Sequence, residues 1–498
     1  MVVSVLSCQL RGLEGRLVEV QVHAGNGKGF FLVGLADASV REARERVKSA
    51  ISNSALKFPG SKVTVSLAPA ELPKEGSGFD LPIAVAIALS ALDLPPATDG
   101  KAFLGELSLD GALRHVDGVL VAARSLVAHG VKELFVAQED AAEAGLAEGL
   151  QVRPAPNLAA VIGHLLGDVV LEYEPVPVAE AGSSALADDL AEVHGQEGAR
   201  RALEVAAAGG HHLLLSGPPG AGKTMLARCL PGLLPGLSLD SALEVAQIGS
   251  VLGELGGRPL RWERPFRAPH HSVSAAGLIG GGAGIGRPGE ISRAHEGVLF
   301  LDELALFQPA ALQALRQPLE SGRVTITRSG GTVVYPARFT LVAATNPCPC
   351  GWLGDVLRPC RCSATALAAY QRSLSGPLLD RIDIRVDVGR APLTALANEP
   401  AGEASEAVRL RVAEARRRQL ERQGTLNAML RARDLRVHAS LGRSRATLER
   451  WAGERGLTAR GFHRSWRVAR TLADLAGVSA IDEQHVLEAL GYRLDAAA

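Results

Sequence analysis

Gly217-Pro218-Pro219-Gly220-Ala221-Gly222-Lys223-Thr224 follows the apolar stretch 212–216 and opens a helical pattern that begins at Lys223. The G-x-x-x-x-G-K-[ST] spacing acquires chemical meaning in that strand-to-helix setting. Glycines let main-chain N–H groups close around phosphate oxygens, and the start of the following helix adds positive potential. Lys223 is then suited to the β- and γ-phosphates of ATP, and Thr224 to the accompanying Mg²⁺. A helical pattern over 199–208 precedes the strand, giving the order of an α/β nucleotide-binding core.

Downstream, Gly297-Val298-Leu299-Phe300-Leu301-Asp302-Glu303 is an apolar strand pattern that ends on two carboxylates. Asp302 is suited to hold Mg²⁺ through its water shell, and Glu303 to orient and polarise the water that attacks the γ-phosphate. An acidic pair at a strand end is commonly a solvated turn. Paired with the loop upstream, it reads as the second half of a hydrolytic site.

The flanking regions differ in pattern. Residues 1–9, 17–22, 30–35 and 62–67 read as strands, and Ser39 is predicted to cap a helix running to about residue 55. An apolar helix is predicted over 80–92, a hairpin turn at Asp110-Gly111, a helix over 118–129 and an extended segment at 134–137. These make residues 1–173 an α+β domain. Pro, Ala, Ser and acidic residues without an apolar period mark 174–190 as a linker. The α/β core spans 191–398, and 399–498 is a helical, arginine-rich domain.

A chain of 498 residues is long enough for two or three cores. With 53 basic and 53 acidic residues, no bulk field draws the molecule to a polyanion. The charge is uneven, however. Residues 401–498 hold 18 arginines, no lysine and 12 acidic residues, a net of +6, with Arg416, Arg417 and Arg418 as candidate DNA phosphate contacts. Such helices also serve as solvated faces or subunit contacts. The longest apolar run, 81–92, is interrupted by Pro82 and is shorter than the roughly 20 residues of a membrane span. No basic leader precedes residues 1–9, and six cysteines do not make a secreted disulfide scaffold, so a cytoplasmic protein with no membrane partner is expected.

Residues 193–490 resemble the magnesium-chelatase-like branch of AAA+ ATPases, in the helix-2-insert group that includes the MCM helicases. His194-Gly195-Gln196-Glu197 resembles the segment that contacts the nucleotide base, with Gln196 as its candidate contact. Thr345-Asn346, closing the strand pattern 339–344, resembles sensor 1, which implies that Asn346 bonds the γ-phosphate or the attacking water. Arg381 in Leu378-Leu379-Asp380-Arg381-Ile382-Asp383 matches the arginine finger, and Arg460 in Leu457-Thr458-Ala459-Arg460-Gly461 matches sensor 2. Both roles want a planar, permanently charged donor. A finger that serves a neighbour's site implies a homo-oligomeric ring, usually a hexamer in this superfamily. Residues 266–297 sit where the group carries its helix-2 insert. Residues 321–334 resemble the pre-sensor-1 hairpin, with Arg323 and Arg328 as candidate DNA contacts. His270 and His271 lack metal-ligand spacing and are expected to pack within their loop.

The whole chain resembles the YifB/ComM family of magnesium-chelatase-like proteins. Its N-terminal half carries Gly34-Leu35-Ala36-Asp37 with Val40-Arg41-Glu42, Pro73-Lys74-Glu75-Gly76-Ser77-Gly78-Phe79-Asp80-Leu81-Pro82, and Gly105-Glu106-Leu107-Ser108-Leu109-Asp110-Gly111. These imply a ribosomal-S5-like α+β fold, related more distantly to the Lon protease domain. Proteolysis of that type needs a serine and an activating lysine. Asp80 falls near the serine position and Leu120 near the lysine position, so a non-catalytic domain is expected. The full expectation is an α/β multidomain protein: an S5-like N-terminal domain, an AAA+ phosphate-loop core with a helix-2 insert, and a C-terminal helical lid.

Cys348, Cys350, Cys360 and Cys362 give C-x-C-x₉-C-x-C, four soft ligands suited to a structural Zn²⁺, with four reduced thiols as the alternative. Cys8 and Cys229 are expected to be packing residues. The family resemblance implies an ATP- and Mg²⁺-dependent DNA translocase or helicase acting on single-stranded or branched DNA, promoting branch migration of recombination intermediates as in natural transformation. Two other classes stay open: the motor subunit of a metal-porphyrin chelatase, and a protein remodeller.

Overall fold

The computed structural model describes residues 2–92, 98–172, 188–256, 258–282, 286–328, 330–355, 358–374, 378–390 and 402–493. Most of the expected 174–190 linker and the expected boundary at 398/399 lie outside the described residues.

Alternating buried valines and outward polar residues put β1 (Val2–Arg11) and β2 (Glu14–Gly25) into an antiparallel ladder from Val2↔His23 to Arg11↔Glu14. After β3 (Phe30–Val33) comes α1 (Ala38–Asn53). Its cap is Asp37, not Ser39: the Asp37 carboxylate accepts the Val40 N–H at 2.8 Å. Asp37 has the extended backbone an N-cap needs, and Ser39 already lies within the first turn. The chain continues through β4 (Lys62–Ala68), α2 (Asp80–Leu92), β5 (Lys101–Phe103), and the short antiparallel pair β6 (Glu106–Leu107) and β7 (Leu113–Arg114) flanking Asp110-Gly111. Then follow α3 (Val119–Ala128), β8 (Glu133–Ala137), α4 (Ala141–Ala144), β9 (Gln151–Ala155) and α5 (Leu158–Leu166). One seven-stranded mixed sheet results, ordered β3-β4-β2-β1-β5-β8-β9. Asp80 through Leu89 are all buried, which explains why α2 shows no polar face in sequence.

The second sheet begins after α6 (Glu197–Gly209) with β10 (Leu213–Ser216), followed by α7 (Lys223–Leu233) and α8 (Leu239–Leu252). An excursion carries β11 (Phe266–Arg267), α9 (Ala275–Ile279), the two-residue strands β12 (Gly280–Gly281) and β13 (Arg287–Pro288), and α10 (Glu290–Arg293). Next come β14 (Val298–Leu301), α11 (Pro309–Ala314), α12 (Arg316–Ser321), the hairpin β15 (Arg323–Arg328) and β16 (Gly331–Pro336), β17 (Thr340–Thr345), α13 (Ala364–Leu374) and β18 (Ile384–Asp387). The sheet is all parallel, ordered β11-β14-β17-β10-β18. Its strands are nearly continuous apolar runs because helices cover both faces. β10 has β17 on one side and β18 on the other, so the strand order reverses beside its carboxyl end, where open α/β sheets bind ligands.

A helical unit closes the chain: α14 (Ser405–Gln423), α15 (Ala432–His438), α16 (Arg445–Glu454), α17 (Ala459–Leu475) and α18 (Glu483–Gly491). It shares one apolar core with the second sheet, from Leu203 and Leu213 to Val412 and Leu472. Polar contacts lock the join. Arg464 donates to the Arg381 carbonyl and to Asp383 Oδ1, both at 2.6 Å. The N-terminal unit meets α8 and the excursion that follows it: Gly118 N–H donates to Ser250 O at 2.9 Å, Arg287 lies 3.4 Å from Asp117, and Leu120 packs with Ala246 and Leu255.

Candidate nucleotide site

β10 delivers the glycine loop to the reversal point of the sheet, and Gly220 and Gly222 adopt positive φ of 78° and 85°. Those angles turn the chain sharply into α7, which starts at Lys223. Lys223 Nζ folds back to donate to Gly217 O at 2.6 Å, Pro218 O at 3.0 Å and Asn346 Oδ1 at 3.1 Å. Partial burial lowers its pKa, opposed by the nearby charges of Asp302 and Glu303. β14 ends beside it. Thr224 Oγ1 donates to Asp302 Oδ2 at 2.9 Å, which brings two hard oxygen ligands together at the helix start. Lys223, Thr224, Asp302 and Asn346 therefore converge from three separate elements.

Glu303 follows in a left-handed backbone conformation, φ 52° and ψ 51°, that a residue with a side chain seldom adopts. Its N–H donates to Asp302 Oδ1 at 2.9 Å, and its own carboxylate lies 3.8 Å from His271 Nδ1. His271 lies against His270 with ring centroids 4.0 Å apart and planes tilted by 36°, and stands edge-on to Phe307. The loop packing expected of the two histidines is present, but His271 also faces the second carboxylate. Sequence spacing could not show this, because β11 lies next to β14 only in the folded sheet.

The remaining expected residues lie around this centre. Gln196, just before α6, donates from Nε2 to Gly389 O at 2.5 Å. Arg381 is 8 % exposed and pairs with Glu320, at the end of α12 of its own chain. Arg460 is exposed in the first turn of α17, and Arg464, one turn further on, ties that helix to the Arg381 segment. Arg464 and Asp383 were missed in sequence. Burial would raise the Asp383 carboxyl, but His211 and Arg464 hold it well below the ordinary range.

Arg323 and Arg328 are exposed at the base and tip of the β15–β16 hairpin. Among the arginines of α14 a correction is needed. Arg416 is buried with its Nε donating to Ala207 O at 2.8 Å, so it caps the carbonyl end of α6 and is not available to DNA. Arg417 bridges Glu414 and Glu421, and Arg418 pairs with Glu414; both remain at the surface. The charge count did not distinguish these three neighbours because successive helical residues point 100° apart.

The four clustered cysteines gather immediately after β17. Their Sγ atoms lie 3.4 Å apart for Cys348–Cys350, 3.7 Å for Cys348–Cys360 and 3.6 Å for Cys350–Cys360, and all four ligand atoms fall within 4.8 Å. A tetrahedron with ~2.3 Å zinc–sulfur bonds has an edge of about 3.8 Å, so the thiols fit that ion. Main-chain N–H groups of Leu353, Cys350 and Cys362 donate to the sulfurs of Cys348, Cys362 and Cys360. The N–H groups of Arg361 and Trp352 lower the Cys350 thiol to about 6. Cys8 and Cys229 are buried elsewhere.

In the N-terminal unit, Asp80 is buried and takes two hydrogen bonds from Arg46, at 2.6 and 3.0 Å. No helix among the described residues is long and apolar enough to cross a membrane.

A parallel sheet with a phosphate loop at its reversal point and an acidic pair on the adjoining strand defines a phosphate-loop nucleotide-binding core. Models of magnesium chelatase subunit ChlI match residues 189–396 and 18–140, and a model of the ChlI C-terminal region matches 402–493. The chain is 44 % identical to competence protein ComM of Haemophilus influenzae, over 97 % of this chain and 95 % of that one. It is equally similar to protein YifB of Escherichia coli over the same shares, and 44 % identical to protein Rv2897c of Mycobacterium tuberculosis over 98 % and 97 %. The magnesium-chelatase 38 kDa subunit of Rhodobacter capsulatus is 29 % identical over 31 % of the chain. The chain belongs to the YifB/ComM family of magnesium-chelatase-like AAA+ proteins.

Proposed function

We propose that this protein is a ring-forming ATP hydrolase that translocates on DNA and promotes branch migration of recombination intermediates. The observation that carries the hydrolytic half is the convergence of Lys223, Thr224, Asp302 and Asn346 at the carboxyl end of the parallel sheet. The glycine loop 217–222 would cradle the phosphates, with Lys223 exchanging its carbonyl partners for phosphate oxygens. Thr224 and Asp302 would hold Mg²⁺, which neutralises charge on the phosphates when bound. Glu303 orients and polarises the attacking water, and Asn346 bonds that water or the γ-phosphate. Gln196 borders the base, and Arg460 meets the phosphates from the helical unit. Arg381 acts on a neighbouring subunit's site after leaving Glu320, which makes the ring, a hexamer in this reading, part of the active site. The N-terminal unit is S5-like and non-catalytic, since Arg46 engages Asp80 where a nucleophile would stand. Cys348, Cys350, Cys360 and Cys362 hold a structural zinc ion.

DNA as the load is supported by the similarity to a competence protein along nearly the whole chain, and by exposed Arg323 and Arg328 on a hairpin beside the core. The test is ATP turnover with and without single-stranded and forked DNA, with Lys223→Ala as the inactive control. It is followed by branch migration on a synthetic four-way junction, comparing wild type with Glu303→Gln. Stimulation by DNA, and junction movement by the wild type alone, are expected. Rings that hydrolyse ATP at a rate DNA leaves unchanged, and that bind no DNA, would falsify the reading and leave a protein remodeller.

A further inference from the structure

The cysteine cluster touches the nucleotide site on two sides. Asn346, the Lys223 partner, is two residues from the buried Cys348, so a metal at the cluster would fix the end of β17 that Asn346 follows. Gly351, between the two cysteine pairs and at φ 83°, lies against the phosphate loop. A Cβ placed there would come within 2.7 Å of Pro219 Cδ and 2.9 Å of Cγ.

The other side is reached through Trp352. Its ring carries two guanidinium groups over it, with Arg358 at 4.9 Å and Arg390 at 4.5 Å from the centroid. Arg390 also stands 3.5 Å from Asp355 in the same excursion. Its neighbour Gly389 takes the Gln196 amide at 2.5 Å, and Val388 O packs so closely on Gly217 that no side chain fits there. Residues 388–390 thus join the cysteine excursion to both the base-side residue Gln196 and the first glycine of the phosphate loop. Four thiolates leave no open position on zinc, so the ion can act here only by holding the excursion's shape.

We infer that zinc held by Cys348, Cys350, Cys360 and Cys362 sets the affinity of this chain for ATP, by pinning the excursion against Pro219 and, through Trp352 and Arg390, against the 388–390 segment. This rests on the zinc and nucleotide readings above. Without the metal the excursion loses its internal restraint, and two walls of the nucleotide pocket lose a support while the sheet core stays intact.

The experiment measures zinc content, thermal unfolding and binding of a fluorescent ATP analogue for the full chain. The proteins compared are wild type, wild type stripped by chelator and reloaded with zinc, Cys360→Ser/Cys362→Ser, and Trp352→Ala. One zinc per chain is expected in wild type. Stripping and the double cysteine substitution should each weaken analogue binding on the order of tenfold, with a cooperative unfolding transition retained, and reloading should restore wild-type binding. Trp352→Ala should keep its zinc and still bind the analogue more weakly, which decides the matter even if the cysteine variant fails to fold. Zinc-loaded and stripped protein of equal affinity would overturn the coupling. Wild type purified from zinc-supplemented cells without zinc would overturn the metal reading itself, and wild type that binds no analogue would overturn the nucleotide reading.

Discussion

His271 shows what a single contact adds at the residue scale. Glu303 adopts a left-handed backbone conformation two residues after β14, and its carboxylate has His271 at 3.8 Å, which in turn contacts His270 and Phe307. Strained conformations persist where the surroundings over-determine them, and here the neighbours are side chains from a separate loop. His271→Ala should lower kcat for ATP about tenfold while leaving nucleotide affinity unchanged, because it frees the Glu303 carboxylate without touching the phosphate loop. Steady-state kinetics beside analogue binding checks this, and a parallel loss of affinity would assign His271 to the pocket wall instead. Arg416 and Arg417 provide a second contrast. Arg416→Ala should destabilise the chain by about 2 kcal/mol or more, since it strands the Ala207 carbonyl in a buried site. Arg417→Ala should leave the melting temperature near wild type, because its ion pairs with Glu414 and Glu421 are exposed. Thermal melts of the two variants make the comparison.

At the scale of elements, the β15–β16 hairpin is the structure most suited to carry force to a substrate. Val324, Ile326, Val333 and Tyr335 anchor it in the core, and Arg323 and Arg328 point to solvent. Removing both arginines should weaken DNA binding at every sequence tested and reduce the slope of log affinity against log salt by roughly 1–2. Fluorescence anisotropy over a salt series measures that slope, and an unchanged slope would remove the hairpin from the interface. The element was legible at residues 321–334 through the family resemblance, and the structure places it at Arg323–Pro336 with Val324, Ile326, Val333 and Tyr335 turned inward. Its neighbour was not legible. Arg11, at the end of β1, donates to the Gly330 carbonyl at the hairpin tip at 3.4 Å, a contact 319 residues apart that no local pattern encodes.

Across the whole molecule, buried titratable groups hold the join between sheet and helical unit and couple it to pH. His212 is buried with its pKa lowered to about 4 by desolvation, and its Nδ1 accepts the Leu341 N–H at 3.1 Å, so it is neutral in the folded chain. As pH falls from about 6.5 toward 4, the unfolded chain takes up a proton that the folded chain refuses. Stability is therefore lost over that window, by roughly 3 kcal/mol in all. Asp383, held below the ordinary carboxylate range, adds a further loss as pH falls below about 4, where the unfolded chain protonates first. Denaturant melts between pH 7.5 and 4.5 should show the decline, and His212→Gln should flatten it. An equal decline in that variant would place the titrating group elsewhere.

The sequence by itself determined the phosphate loop, the acidic pair, the strands that alternate or run apolar, and the clustering of four cysteines, because each depends on residues close together in the chain. It predicted a cap at Ser39 where Asp37 serves, and offered three adjacent arginines as equivalent although one is buried, because burial depends on what packs against a helix. Only the tertiary structure decided that Asn346 meets Lys223, that His271 faces Glu303, that Arg381 rests on Glu320, and that the cysteine excursion leans on Pro219. These contacts join residues from separate strands and loops. Their geometry follows from the strand order of a parallel sheet, which brings distant segments side by side at its carboxyl edge.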